Sequence, residues 1–366
     1  MSDPSTFSVA DRPVGRGHPT LVVAEVAQGY DGSLGIAHAM IDLVADAGAE
    51  CIKFQTHFAD AESSPDEPWR VPFSSQDQSR FDYWKRMEFT DQQWQGLKQH
   101  ADQRGLIFLS SPFSLRAVEL LERLEVPAWK IASGEVNNPL LIEPVARTGI
   151  PVLLSTGLCS DEELDQVVTF LRRKRVPIGI FQCTTAYPCP PERIDLQRMG
   201  HFAQHYACPV GLSDHSGTIY AGLAAAALGA DMIEVHVTMS RQMFGPDVAA
   251  SVTGDELRQL VAGCRFVQQV VRPVIDLAAD RRAEEQRQTL RSMFGKSLVA
   301  RCALPRGTVL TKEDLDARKP GSGIRASAYR DVIGKRLVRD VAAGERLAES
   351  DLATADSGCG GVRRVS

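Results

Sequence analysis

No stretch of about 18 consecutive apolar residues occurs in the 366-residue sequence, so no membrane-spanning helix is written into it. The N-terminus, MSDPSTFSVADRPVGRGHPT, carries acids and prolines where a secretory signal needs a basic start and an apolar stretch, and the expected location is the cytoplasm. Dense blocks of Lys and Arg are missing too. With a net charge of -5, the chain is not expected to bind nucleic acid, although a local phosphate pocket stays open to it. The cysteines, Cys51, Cys159, Cys183, Cys189, Cys208, Cys264, Cys302 and Cys359, make no Cys-x-x-Cys pair and no zinc-like spacing. They read as reduced, small apolar residues, with disulfides the less favoured alternative.

What is present is the composition of a globular protein, 43% hydrophobic and 24% charged, in a chain long enough for one large domain and a small one. Short β-rich runs recur at LVVAE (21–25), CIKFQ (51–55), LIFLS (106–110), AWKIAS (128–133), PVLLST (151–156), IGIFQCT (179–185), PVGLS (209–213) and DMIEVHV (231–237). Amphipathic patterns lie between several of them, among them Leu34–Ala47 and Asp161–Arg173, the latter preceded by a capping box of Ser160 and Glu163. Eight such strands fit a (β/α)8 TIM barrel better than a doubly wound sheet. Residues 20–278 are assigned to it, after an N-terminal extension of residues 1–19.

The polar residues of these runs gather at their C-terminal ends: Glu25, Lys53, Gln55, Ser110, Ser111, Lys130, Ser133, Ser155, Thr184, Ser213, His215, Glu234 and His236. In this kind of barrel that rim carries the active site. A single polar strand end simply meets water, but all eight runs end this way. "GLSDHSGT" and "EVHVT" place His215 and His236 on adjacent strands, where two imidazoles suit a divalent ion that must also accept substrate oxygens; a packed, hydrogen-bonded histidine is the alternative for each. Lys53 and Lys130 are embedded among apolar residues, and with Ser111, Ser133, Ser155 and Ser213 they suit an anion bearing phosphate and carboxylate. A buried ammonium needs a partner, and a bound anion is one; lysines reaching solvent are the other reading. Glu25, Gln55, Glu135, Thr185, Tyr187 and Asp247 can hydrogen-bond a polyhydroxy substrate, with one carboxylate free for proton transfer. The "GPD" containing Asp247 also reads as a plain turn.

Beyond about residue 290 the texture changes. "LPRGTVLTKEDL" (304–315) and "VAAGERLAESDL" (341–352) share one template, in which Gly307, Leu310 and Asp314 correspond to Gly344, Leu347 and Asp351. This predicts a small β-rich module of two related halves over residues 296–354, joined by a linker, 279–295, and followed by a disordered tail, 355–366. The polar end of a barrel helix is the other reading of that linker.

In order, "AEVAQGYDGS", "KFQTH", "FLSSPFS", "WKIASGE", "LLSTG", "QCTTAYPCPPE", "GLSDHSGT", "EVHVT" and "GPD", followed by "RKPGSGI", resemble the sialic acid synthase (N-acetylneuraminate synthase) family over residues 20–354, and the C-terminal module resembles its SAF (antifreeze-like) domain. The resemblance implies condensation of phosphoenolpyruvate with the open-chain aldehyde of an N-acyl amino sugar, giving a nine-carbon 2-keto acid and phosphate. It also implies His215 and His236 as ligands of Mn²⁺, or of Mg²⁺ or Co²⁺. Lys53, Ser111, Lys130, Ser133, Ser155 and Ser213 would hold phosphoenolpyruvate. Gln55, Glu135, Thr185, Tyr187 and Asp247 would hold the sugar, and Glu25 would position water or stabilise cationic character. Family members are domain-swapped homodimers whose C-terminal module donates an arginine to the partner's sugar site, and here that position reads Lys319. Thr185 stands where many members have asparagine, and Gly29-Tyr30 where the family reads Asn-His. All three departures are expected on the acceptor side, which makes another aldehyde, such as a legionaminic or pseudaminic acid precursor, the alternative to N-acetylmannosamine. A non-catalytic sugar-binding homologue is the competing class.

Overall fold

Strand periodicity positions the whole site. In the computed structural model, which describes residues 5–271 and 277–353, eight parallel strands form the large domain. They are β3 (Leu21–Glu25), β4 (Cys51–Thr56), β5 (Ile107–Pro112), β6 (Trp129–Ile131), β7 (Val152–Ser155), β8 (Ile178–Cys183), β9 (Val210–Asp214) and β10 (Met232–Thr238). Their ladder order is β5-β4-β3-β10-β9-β8-β7-β6, and the ends of that order, β5 and β6, lie side by side, so the sheet curls into the expected barrel. A short strand, β11 (Ser251–Thr253), pairs with the end of β10.

Alternate residues along each strand face opposite ways. Val22, Ala24, Ile52, Phe54, Phe108, Ile131, Leu154 and Ile180 belong to one cluster with the surrounding helices, while Leu21, Val23, Cys51, Leu109, Leu153, Phe181 and Met232 form a second cluster inside the barrel. The helices follow the capping rules. Ser33 accepts a hydrogen bond from the Ile36 amide to start the helix Leu34–Ala47, Gly48 ends it at φ 81°, and Ser160 and Glu163 form the expected box before Asp161–Arg173.

Two features enlarge the simple barrel. The N-terminal extension is a hairpin, β1 (Thr6–Val9) and β2 (Arg12–Gly15), whose Val9 and Val14 join the inner cluster. A Cβ on Gly179 would lie 3.2 Å from the Phe7 ring, so the hairpin plugs the N-terminal mouth. Between β4 and β5, residues 57–90 form an excursion with helices Ala59–Glu62 and Arg80–Met87. Trp69, Phe73, Tyr83 and Trp84 pack together within it.

The chain divides into two compact units, Met1–Pro273 and Val274–Ser366. In the second, the segment expected as a linker, 279–295, is helical as far as Phe294, in a helix spanning Leu277–Phe294. Its Ala, Glu, Gln and Arg are strong helix formers, and Glu284 pairs with Arg287 one turn on. Strands β12 (Ser297–Ala300) and β13 (Leu315–Arg318) then pair antiparallel. The repeat has a structural counterpart: Leu304 and Val341, equivalent in the template, exchange both backbone hydrogen bonds at 2.8 Å. Asp314 caps the Thr311 amide as Asp351 caps Ala348, and Leu310 and Leu347 share the module's core. The tail expected to be disordered, 355–366, lies outside the described residues.

Candidate active site

The inward-facing parity continues past the apolar layers and delivers charge at the C-terminal mouth. Leu21-x-Val23-x-Glu25, Cys51-x-Lys53-x-Gln55, Leu109-x-Ser111, Ala128-x-Lys130, Leu153-x-Ser155 and Met232-x-Glu234-x-His236 each change from apolar to polar while keeping one face. Register then chooses the neighbours: Glu25 lies beside Lys53 and His236, and Glu234 beside Ser213.

The result is a buried cluster. Lys53 Nζ lies 2.5 Å from Glu25 Oε2, 3.8 Å from Glu234 Oε1 and 3.3 Å from Ser111 Oγ. Lys130 Nζ is 3.5 Å from Glu234 Oε1 and donates to Ser155 Oγ at 2.7 Å, while Ser213 Oγ donates to Glu234 at 3.1 Å. The Lys53 contact with Glu25 Oε2 is an ion pair without a well-directed hydrogen bond, and the other Glu25 oxygen accepts from Gln55 at 2.8 Å. The lysines' buried ammonium groups therefore find their counter-charge in Glu25 and Glu234, where the sequence suggested a bound anion. Glu234 was read only as a rim position. Its signal was its spacing, two residues before His236 on the same face.

The two carboxylates end on opposite sides of their ordinary value. Burial pushes Glu25 up to about 7, against the opposing pull of Lys53 and with added repulsion from Glu234. For Glu234 burial acts the same way, but Lys130 and Lys53 together outweigh it and hold the group below the usual carboxylate range. Burial lowers Lys130, whereas Glu234 and Glu25 overcome it at Lys53 and hold that ammonium charged.

His215 and His236 face each other across adjacent strands, with ring centroids 5.0 Å apart. His215 Nδ1 is 3.0 Å from the Thr184 carbonyl, which leaves its Nε2 for another partner. His236 Nδ1 is buried without a hydrogen bond and lies 3.9 Å from Asp247 Oδ2. Burial lowers both to about 3, with a further push at His215 from mutual repulsion with His236 and at His236 from the Lys53 ammonium, so both rings are neutral and keep free lone pairs at neutral pH. Tyr187 packs on both, 4.2 Å from His215 and 5.7 Å from His236.

Above this floor opens a cavity of about 380 Å³. Of the residues expected at the site, Gln55, Ser133, Glu135, Thr185, Tyr187, His236 and Asp247 line it. Glu25, Lys53, Ser111, Lys130, Ser155, Ser213 and His215 lie beneath, out of its lining. Lys319 belongs to the second unit, where its ammonium sits 5.4 Å from the Phe294 ring centroid. The excursion 57–90 supplies much of the wall, and sequence reasoning missed all of it. Arg70 bonds Asp247 at 2.9 Å and lies over the Tyr187 ring at 4.4 Å; His57, Trp69, Phe73 and Trp84 also face the space.

Tyr30 corrects an expectation. It was placed on the acceptor side, yet its ring is fully buried against Phe54 and Phe89, its hydroxyl donates to the Met87 carbonyl at 3.0 Å, and it does not line the cavity. Gln28, two residues earlier, does.

Comparison with known proteins agrees with this geometry. The chain belongs to the NeuB family, whose model matches residues 40–275, and a SAF domain model matches residues 295–361; this is the sialic acid synthase family that the motifs resemble. It is 31% identical to N,N'-diacetyllegionaminic acid synthase of Campylobacter jejuni, over 90% of this chain and 99% of that protein. It is 30% identical to human N-acetylneuraminate-9-phosphate synthase, over 92% of this chain and 94% of that one. Among solved structures, the N-acetylneuraminic acid (sialic acid) synthetase of Leptospira borgpetersenii, in complex with citrate, superposes with a TM-score of 0.67 at 28% identity, covering 78% of this chain and 97% of that one.

Proposed function

We propose that the protein condenses phosphoenolpyruvate with the open-chain aldehyde of an N-acyl amino sugar, giving a nine-carbon 2-keto sugar acid and inorganic phosphate. The observation that carries this reading is the adjacency, on one barrel floor, of two buried lysines with two facing histidines, under a cavity lined by amides, hydroxyls and carboxylates. Lys53 and Lys130, with Ser111, Ser133, Ser155 and Ser213, hold the phosphate and carboxylate of phosphoenolpyruvate. Gln55, Glu135, Thr185, Tyr187 and Asp247 hold the sugar.

Carbon 3 of phosphoenolpyruvate bonds to the aldehyde carbon, whose oxygen takes a proton to become a hydroxyl. Water then adds at carbon 2; one of its protons balances the one taken up by the aldehyde oxygen, the other leaves with the phosphate, and the carbon–oxygen bond to phosphate breaks to leave the ketone. Glu25, the less ionised of the two carboxylates, positions that water, while Glu234 stays charged as a counter-ion to the lysines. His215 and His236 suit a divalent ion, Mn²⁺ first and Mg²⁺ or Co²⁺ as alternatives, because the buried, unpartnered Nδ1 of His236 has a free lone pair. Such an ion, when bound, supplies Lewis-acid polarisation of the aldehyde oxygen.

The working form is a domain-swapped homodimer in which Lys319 contacts the N-acyl group of sugar in the partner's site. The seven described cysteines are free thiols, in keeping with a reducing, cytoplasmic setting. No described helix is long and apolar enough to cross a membrane.

The test is phosphate release from phosphoenolpyruvate in the presence of Mn²⁺ and a panel of N-acyl hexosamines, diacetamido sugars and simple aldoses, with the acid product weighed by mass spectrometry. Release should require both aldehyde and metal, and Glu25→Gln should abolish it. Binding of phosphoenolpyruvate without release for any aldehyde would leave a non-catalytic sugar-binding protein.

A further inference from the structure

The wall of the cavity holds a hydrogen-bonded chain whose outer members, His57 and Glu62, the condensation above leaves unused. His57 Nδ1 lies 2.7 Å from Glu62 Oε1, and His57 Nε2 lies 3.0 Å from Gln55 Oε1. Gln55 in turn donates from Nε2 to Glu25 Oε1 at 2.8 Å, and Gln28 Nε2 donates to Gln55 Oε1 at 3.3 Å. Glu62 is itself held, because its second oxygen accepts from the Phe58 amide at 3.2 Å.

These contacts orient every member. If the Gln55 amide were reversed, its carbonyl oxygen would face a carboxylate oxygen of Glu25 and Gln28 would lose its acceptor. With Gln55 Oε1 turned toward His57, Nε2 of the ring must donate. Nδ1 faces a carboxylate oxygen of Glu62, which anchors the ring. The ring is 4% exposed and is sandwiched between Trp84, with centroids 4.2 Å apart, and Phe113, 4.6 Å away. Two aromatic faces fix its plane.

The geometry points to His57 as a positioning residue: a donor anchored on Glu62 that turns the Gln55 amide so that its NH₂ group holds Glu25. One Glu25 oxygen is thus tied to Gln55 and the other to Lys53, and the carboxylate cannot swing. The chain therefore reaches from a cavity-lining ring to a carboxylate outside the cavity lining. Its catalytic consequence rests on the role given to Glu25 in the proposed condensation; the hydrogen-bond pattern does not.

Two measurements test it on the full-length protein. In ¹⁵N-imidazole spectra at neutral pH, with the His57 signals assigned by their loss in His57→Phe or, if that variant does not fold, in His57→Gln, Nε2 should carry a directly bonded proton. A bare lone pair on Nε2 overturns the proposal, whether or not any aldehyde is turned over. In kinetics, His57→Phe keeps the aromatic stack but removes the donor to Gln55. It should lower kcat about 10²-fold, the scale of a misplaced reacting group, with the KM for phosphoenolpyruvate unchanged. Glu62→Gln, which still offers Nδ1 an acceptor, should keep most of the rate. Unchanged kcat in His57→Phe, or a rise in acceptor KM alone, overturns the positioning role. If the wild-type protein turns over no aldehyde, the condensation reading falls and the spectra still decide the hydrogen-bond chain.

Discussion

On the floor of the site, Glu25, Lys53, Lys130 and Glu234 arrive from four different strands, each at most 4% exposed, and neutralise one another. In the wall above, His57, Trp69, Arg70, Phe73 and Trp84 arrive from one excursion, are bound by ring stacking and single ion pairs, and leave the Arg70 side chain 41% exposed. The floor is held by the barrel's register, so its chemistry is hard to change without harming the fold. The wall hangs on contacts that can be lost one at a time, and apart from His57, which reaches Glu25 through Gln55, it can change what the cavity admits while the floor stays as it is.

The largest expected effect tests the floor. Lys53→Met leaves Glu25 buried without its closest counter-charge, and the loss should be about 3–5 kcal/mol in denaturant unfolding together with loss of phosphate release. Adding Glu25→Gln to that variant should recover part of the stability and none of the turnover, because the two losses share one ion pair. Recovery of both would remove the cluster from the mechanism.

Next comes the boundary between floor and wall. Restoring Asn and His by Gly29→Asn with Tyr30→His removes a fully buried ring and its hydroxyl bond to Met87. The expected result is destabilisation on the order of 2 kcal/mol with the ranking of acceptors unchanged. A changed ranking would return Tyr30 to the acceptor side.

A smaller effect belongs to the wall. Arg70→Ala should raise the acceptor KM roughly tenfold, the worth of one charge-assisted bond, and leave the phosphoenolpyruvate KM where it was. Arg70 is 41% exposed but Asp247 only 11%, so unfolding should shift by about 1 kcal/mol, the cost of a buried acceptor losing its partner. Equal changes in both KM values would show that the wall and floor are not separable.

The smallest effect is a control in the second unit. Burial alone would raise Asp351, but the Arg339 guanidinium and the Ala348 amide overcome it and hold the carboxyl below its usual range. A depressed folded value contributes stability that is present above the ordinary carboxylate range and fades as pH falls through the folded value. Asp351→Asn should therefore lower the neutral plateau of the melting-temperature profile slightly and cost little in acid, which flattens the acid limb. A loss in acid as large as that at neutral pH would contradict this linkage.

The contrast between floor and wall also explains what could be read in advance. Lys53, Lys130, Glu25 and the two histidines were legible because a strand's two-residue period ties a polar residue to the apolar ones before it, and a barrel sends all such ends to one rim. The module's pairing was legible for a similar reason, since a repeated template implies equivalent partners such as Leu304 and Val341. Arg70 and Trp69 lie in an irregular stretch, where no period connects a residue to a direction. The helix Leu277–Phe294 was taken for a linker because its side chains are mostly polar, and it is supported by propensity and ion pairs where a hydrophobic stripe would have signalled it. Tyr30 misled because position relative to a motif says which residues are near a site, while packing decides which way they turn.

The pairing of β3 with β10 sets Glu25 beside His236, 211 positions later in the chain. On a ribosome adding 5–20 residues each second, the first barrel strand waits roughly 10–40 s for its second neighbour to be made. Throughout that interval one edge of β3 has no partner strand, and its Glu25 has met Lys53 but not the histidine beside it. The active site is thus among the last parts of the barrel to exist, and a nascent chain halted before β10 would carry both lysines and His215 while Glu234 and His236 were still unmade.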